Sequence, residues 1–183
     1  MIEKKHKRLE LLDLPAEYSN LDQTLNSAFK ILEDASKNRR SLFHTPTLST
    51  FDGSRVSIRT MVLREFDPDK RLIRFHTDYR SIKIQQLKKD SHGAVHGYDP
   101  SLKIQIRLDG KINLHHKDEI TKGSWELSKD MSKECYFVGG PPGSKIDDPT
   151  EYEPSTFNLK TFNGFDNFCV IVFEIESMEF LYL

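Results

Sequence analysis

At 183 residues, with 37% hydrophobic and 30% charged content, the chain holds enough apolar material for one domain with a single core and leaves a very polar surface. Its 27 basic and 28 acidic residues give a net charge of −1, so no overall field drives it toward nucleic acid or a membrane surface. The two cysteines, Cys135 and Cys169, make neither a metal-type pair nor a disulfide framework, and they suit a reducing compartment.

Residues 1–19 form a charged N-terminal arm without the apolar run of a signal peptide, and no later stretch approaches ~18 consecutive apolar residues. A cytoplasmic protein with no membrane partner is expected. Pro15 and Ser19-Asn20 mark an entry loop. From Leu21 the apolar positions Leu21, Leu25, Ala28, Phe29, Leu32 and Ala35 recur at spacings of three and four, which predicts a helix with one buried face. Asp22, Lys30, Glu33 and Lys37 fall on its wet side.

The run SLFHTPTLSTF, 41–51, alternates and is rich in Thr and Phe, so a strand is predicted, with Pro46 placing it at a sheet edge or bulge. Asp52-Gly53 turns the chain into VSIRTMVLREF, 56–66, as hairpin partner, and FDPDK leads to a strand at 71–77, three in succession making a meander. After a short helix at 81–89, strands at 92–98 and 102–115 are joined by a turn at Asp99-Pro100. Five short strands with tight turns indicate a small closed or partly closed barrel. A surface helix is predicted over 117–131, with a weak stripe of Ile120, Trp125 and Leu127. Residues 138–160 make a long loop, because 138–154 carry too much Gly, Pro and Asp for regular structure. The ending, 168–183, is strand-like, and its CVIVF segment is apolar enough to be buried on both faces and to close the barrel. One domain, 1–183, is expected.

The chemistry concentrates around the short helix. Arg59, Arg64, Arg80 and Lys83 gather there with the hydroxyls of Thr77 and Ser81. Ser81 is placed to cap SIKIQQL, so backbone N–H groups and a positive helix end lie beside those cations, and phosphate is the natural guest. By charge pattern alone, ordinary solvated charges on strands weigh the same. His92 and His96 share a strand face, and His115 and His116 point opposite ways, so no metal site is expected. Cys169 lies in an apolar strand and reads as buried and inert.

Four motifs in order, RTMVLR at 59–64, FHTD at 75–78, SIKI at 81–84 and IQIRLDG at 104–110, resemble the pyridoxamine 5'-phosphate oxidase family of FMN-binding split barrels. That family has RxVLLK, FYTN, SRKA and RQVRxxG in the same sequence order. The resemblance implies a mainly β, antiparallel FMN-binding split β-barrel of Greek-key type with flanking helices and an N-terminal helix. It also implies that Arg59, Ser81 and Lys83 hold the FMN phosphate, with Thr77 adding a hydroxyl. Thr60, Met61, Val62, Leu63 and Arg64 then line the flavin, His76 takes the place of a family tyrosine, and Gln105 meets the ring's polar edge. Such a phosphate site suits a guanidinium, an ammonium and a helix start, and an amide supplies donor and acceptor together.

Departures from the family pattern shape the rest. Ile82 stands where the family has an arginine, and Arg80 is expected to swing in for it. The oxidases grip their substrate's phosphate with a Tyr, an Arg and a Ser, where this chain has Trp125, Lys129 and Lys133. Their RLH motif has no counterpart among these residues, so the vitamin B6 reaction itself is not implied. The stretches 125–144 and 167–181 resemble a less specific, oxidase-related branch, in which Trp125 and Pro141 to Gly143 lie near the flavin of a homodimer with FMN at the subunit interface. Two classes of function follow. One is an FMN-dependent oxidoreductase in which Arg64 and Lys129 hold a small anionic substrate, with no side chain needed as a strong acid or base. The other is a non-catalytic module that binds flavin or another phosphorylated ligand.

Overall fold

The computed structural model describes residues 12–145, 147–148 and 163–183; residues 1–11 of the N-terminal arm and most of the 138–160 loop lie outside the described residues. Helix α1 (Leu21–Lys37) is capped by Asn20, whose side-chain oxygen accepts from the Gln23 N–H at 3.0 Å. Ala28, Ile31, Leu32 and Ala35 are buried, and Phe29 meets Phe66 edge-on at 5.3 Å. Leu21 is not on that face: it is 88% exposed at the first helical position, and Ile31 completes the stripe.

The 41–51 run is not one strand. Leu42–His44 is a 3₁₀ turn, because Phe43 must lie flat over Gly97, where even a Cβ would come within 2.4 Å of its ring. Strand β1 (Thr47–Phe51) starts only after Pro46. It turns at Asp52, whose Oδ1 accepts from the N–H of Ser54 and of Arg55 at 2.9 and 2.8 Å, into β2 (Val56–Thr60).

The 56–66 run also splits. After β2 the chain crosses Met61 and Val62 and starts β3 (Leu63–Asp67), which pairs with β4 (Leu72–Asp78) and not with β2. The expected meander is therefore two hairpins at opposite edges of one antiparallel sheet. With β5 (His92–Asp99), β6 (Ile104–His115) and β7 (Phe168–Tyr182), the order is β2-β1-β5-β6-β7-β4-β3. Six strand spacings make a flat sheet about 29 Å wide. The link from Thr60 to Leu63 reaches about 10 Å at most. The sheet must roll until its edges meet, which makes a barrel with an unpaired seam between β2 and β3.

Strand β7 joins the two halves of that barrel as an interior stave between β6 and β4, away from the seam. Phe168 to Phe173 are all buried. Ile171 and Phe173 face the barrel core, while Phe168, Val170 and Val172 face a second cluster with Tyr136, Leu72 and Trp125. That outer cluster is covered by the segment after β6. The predicted 117–131 helix divides there into α3 (Glu119–Leu127), capped by Asp118, and a single turn α4 (Asp130–Lys133). Short helix α2 (Ile82–Lys89) sits across the barrel mouth beside β1.

Gly110, at the bulge where β6 crosses β7, has no room for a side chain, since a Cβ would fall 1.9 Å from the Glu174 carbonyl oxygen. Gly123, inside α3, has open space around it. In urea unfolding, Gly110→Ala is expected to lose about 2–3 kcal/mol, whereas Gly123→Ala gains about 0.5–1 kcal/mol.

Candidate cofactor and substrate site

The hairpin register places Arg59 opposite Leu48, so its side chain turns to the inner face, toward α2. Its Nη1 donates to Thr50 Oγ1 at 2.7 Å and to the Leu48 carbonyl at 3.5 Å, and its Nη2 donates to Gln86 Oε1 at 3.0 Å. From the first turn of α2, Lys83 Nζ donates to Thr77 Oγ1 at 2.9 Å and to Ser81 Oγ at 3.0 Å. Each of these bonds ends on a neutral oxygen. Burial lowers the pKa of both cations, and the Arg59 charge lowers that of Lys83 further. Guanidinium and ammonium thus converge at the mouth, and among the described residues neither has a carboxylate hydrogen-bonded to it.

Two neighbours behave differently from the expectation. Ser81 occupies the N-cap position of α2, yet its hydroxyl makes no cap and donates instead to the Asp78 carbonyl at 2.7 Å. Arg80 does not swing toward Lys83: its Nε and Nη2 bind the two Asp78 oxygens at 3.0 and 2.7 Å, and its Nη1 reaches the Gly139 carbonyl at 3.3 Å. Ile82 is 60% exposed.

The seam is spanned by Thr60, Met61, Val62 and Leu63, of which Met61 and Leu63 turn into the core, with Met61 N–H held by the Pro46 carbonyl at 2.9 Å. On the outer side a cavity of about 460 Å³ opens between β3, β4 and α3. Arg64, Arg74, His76, Ser124 and Lys129 are among its walls. Arg74 is paired with Glu65 at 2.8 Å. Arg64 and Lys129 make no ion pair or side-chain hydrogen bond among the described residues, so two cations face the cavity without a direct partner, with Glu65 and Glu119 also among its walls. His76 stands edge-on to Phe168 at 4.8 Å, and its pKa falls to about 4, first through burial and then through the Arg64 and Arg74 charges.

Not every expected residue gathers there. Trp125 packs into the outer cluster at 5.1 Å from Phe168, with Lys133 Nζ 5.5 Å above its ring, and neither lines the cavity. Gln105 lies on the outer face of β6, within 3.2 Å of His96 Nε2, on the opposite face of the sheet from Arg59. Pro141 to Gly143 form a turn in which Ser144 N–H donates to the Pro141 carbonyl at 3.2 Å. Thr50, Ser57, Arg74 and Gln86 join the two sites without having been expected. Gln86 was within reach of the sequence, being three residues after Lys83 on one helix face. The described residues hold no cluster suited to a metal ion and no helix long and apolar enough to cross a membrane.

The depressed His76 pKa has a definite sign. The folded chain keeps this imidazole neutral, whereas an unfolded histidine takes its proton near 6.5. Its contribution is fully present above that pH and is lost as pH falls toward 4. Between pH 7.5 and 4.5, wild type is expected to lose roughly 2–3 kcal/mol more stability than His76→Gln in urea titrations.

Comparison with known proteins gives this geometry a family. Residues 24–116, from α1 to the end of β6, match the FMN-binding domain of pyridoxamine 5'-phosphate oxidase. A pyridoxamine 5'-phosphate oxidase-related, FMN binding protein from Nostoc punctiforme superposes with a TM-score of 0.68 at 22% identity, covering 85% of this chain and 83% of its own. PhzG from Burkholderia lata, solved with tetrahydrophenazine-1-carboxylic acid, gives 0.64 at 18% identity, covering 92% and 81%. General Stress Protein 26 from Bacillus anthracis gives 0.53 at 15%, covering 85% and 98%. These likenesses show a shared fold, and no curated protein sequence matches the chain. The matched domain spans more than half of the sequence, and the protein belongs to the pyridoxamine 5'-phosphate oxidase family of FMN-binding split barrels.

Proposed function

We propose that the protein is an FMN-dependent oxidoreductase acting on a small anionic substrate, and that it works in the cytoplasm as a homodimer with FMN at the subunit interface. The observation that carries this reading is the pair of partly buried cations, Arg59 and Lys83, whose hydrogen bonds all end on neutral oxygens. Two like charges drawn together repel one another, with Asp78, itself bound by Arg80, acting on Lys83 only without a hydrogen bond, and a phosphate near −2 relieves both the repulsion and the desolvation. Those residues fit the cofactor of this family. Bound there, FMN supplies two-electron chemistry.

The chain's own residues do the positioning. Thr77 and Ser81 hold the Lys83 ammonium, and the backbone from Thr60 to Leu63 provides the wall that separates the phosphate end from the outer cavity. Arg64 and Lys129 offer that cavity two unpaired charges for a carboxylate or phosphate group. His76 stays neutral at physiological pH and presents a hydrogen-bonding imidazole without adding a third charge. The homodimer is supported by the outer face of the β1–β2 hairpin, where Val56 and Ile58 are 68% and 71% exposed beside Phe51.

Titration of FMN fluorescence tests the phosphate site. Arg59→Ala and Lys83→Ala should each weaken FMN roughly 10- to 100-fold and leave riboflavin, which lacks the phosphate, unchanged. Retention of full FMN affinity in both variants counts against the assignment. Anaerobic reduction of the bound flavin by NADH, NADPH or pyridoxamine 5'-phosphate then separates oxidoreductase from binding module. For an anionic donor that reduces it, Arg64→Ala and Lys129→Ala should raise the half-saturating concentration about tenfold.

A further inference from the structure

Gln86 is only 6% exposed and lies one turn beyond Lys83 on α2. Its Oε1 accepts from Arg59 Nη2 at 3.0 Å and from Thr50 Oγ1 at 2.7 Å, and its Nε2 donates to Ser57 Oγ at 2.9 Å. Thr50 Oγ1 in turn accepts from Arg59 Nη1 at 2.7 Å. One amide therefore ties α2 to both strands of the β1–β2 hairpin and holds both terminal nitrogens of the guanidinium, one directly and one through Thr50.

We propose that Gln86 is the positioning residue of the phosphate cradle, fixing Arg59 beside Lys83 without neutralising it, and so setting the preference for a phosphorylated flavin over an uncharged one. The inference rests on the FMN reading above and adds a residue to it. The chemistry turns on amide against carboxylate. A glutamate at this position has the same reach and accepts from the same guanidinium, but it closes an ion pair and removes one positive charge from what an incoming phosphate meets. Elsewhere in this chain arginines are oriented in that other way, Arg80 by Asp78 and Arg74 by Glu65. At the mouth, every group that accepts from the guanidinium among the described residues is neutral. A methionine fills a similar volume and removes the acceptor, so Arg59 keeps its charge but loses its fixed direction and must be ordered by the ligand.

Three variants of the full chain, each titrated with FMN and with riboflavin, test this. Gln86→Glu should raise the FMN Kd about thirtyfold or more, and Gln86→Met about tenfold, with the riboflavin Kd within about twofold of wild type for both. Ser57→Ala leaves α2 untouched and removes only the anchor of the Gln86 amide nitrogen; it should weaken FMN about threefold. A merely structural role predicts a different pattern, in which FMN and riboflavin weaken together, and that result overturns the proposal. FMN binding unchanged in all three variants overturns it as well, while leaving the FMN assignment intact. A wild-type chain that binds neither flavin removes the FMN reading itself, and the proposal with it.

Discussion

The two residues between β2 and β3 constrain everything else. Met61 and Val62 join strands that stand at opposite ends of the hydrogen-bonded order, and the polypeptide has no slack to do so across a flat sheet. Curvature is therefore imposed by covalent reach, and side-chain packing fills the interior that results. The same link leaves a seam where no ladder forms. Across it the strand alternation continues, Arg59, Met61 and Leu63 turning inward and Arg64 outward, so the segment lies between the inner cations and the outer cavity. Both halves of the candidate site are consequences of one short connection.

Charge is distributed around that seam by a simple contrast. Several cations away from it are met by carboxylates, Lys30 by Asp13, Arg74 by Glu65, Arg80 by Asp78 and Lys117 by Asp166. Arg59 and Lys83 are met by hydroxyls, a carbonyl and an amide. Hydroxyl and amide oxygens orient a cation while leaving its field largely intact, at the cost of holding like charges close together. Two such groups held half-buried beside one another concentrate positive potential at the mouth. The near-neutral total charge of the chain conceals this, since it averages over both populations.

Much of this was legible in the residues. The strand runs at 71–77, 92–98 and 102–115, the α1 stripe and the doubly buried CVIVF segment all appear where alternation and periodicity put them, because each is decided locally by which side chains must leave water. The convergence of Arg59 with Lys83 followed from the motif order. What periodicity could not show was decided by distant partners. VSIRTMVLREF contains no Gly, Pro, Asn or Asp to mark a turn, and the identity of its neighbours, β1 for the first half and β4 for the second, cuts it in two. SLFHT fails as a strand because Gly97, more than fifty residues later, requires Phe43 on top of it. Arg80 was expected at the phosphate, but Asp78, two residues away, captures it first. Gln105 and Trp125 point to packing and pairing partners that spacing along the chain does not encode.

Strand β7 has a consequence for how this fold forms. Its neighbours β6 and β4 each present an open ladder until Phe168–Tyr182 pairs with them, and that stretch follows both in the chain. Before it docks, the β1–β2–β5–β6 group and the β3–β4 hairpin share no ladder and are tied through the Met61-Val62 link and α2. The portion matching the family domain, 24–116, ends before the stave that welds those pieces together. A fragment cut at the limits of that match keeps Arg59 and Lys83 and forfeits the strand that completes the shell around them.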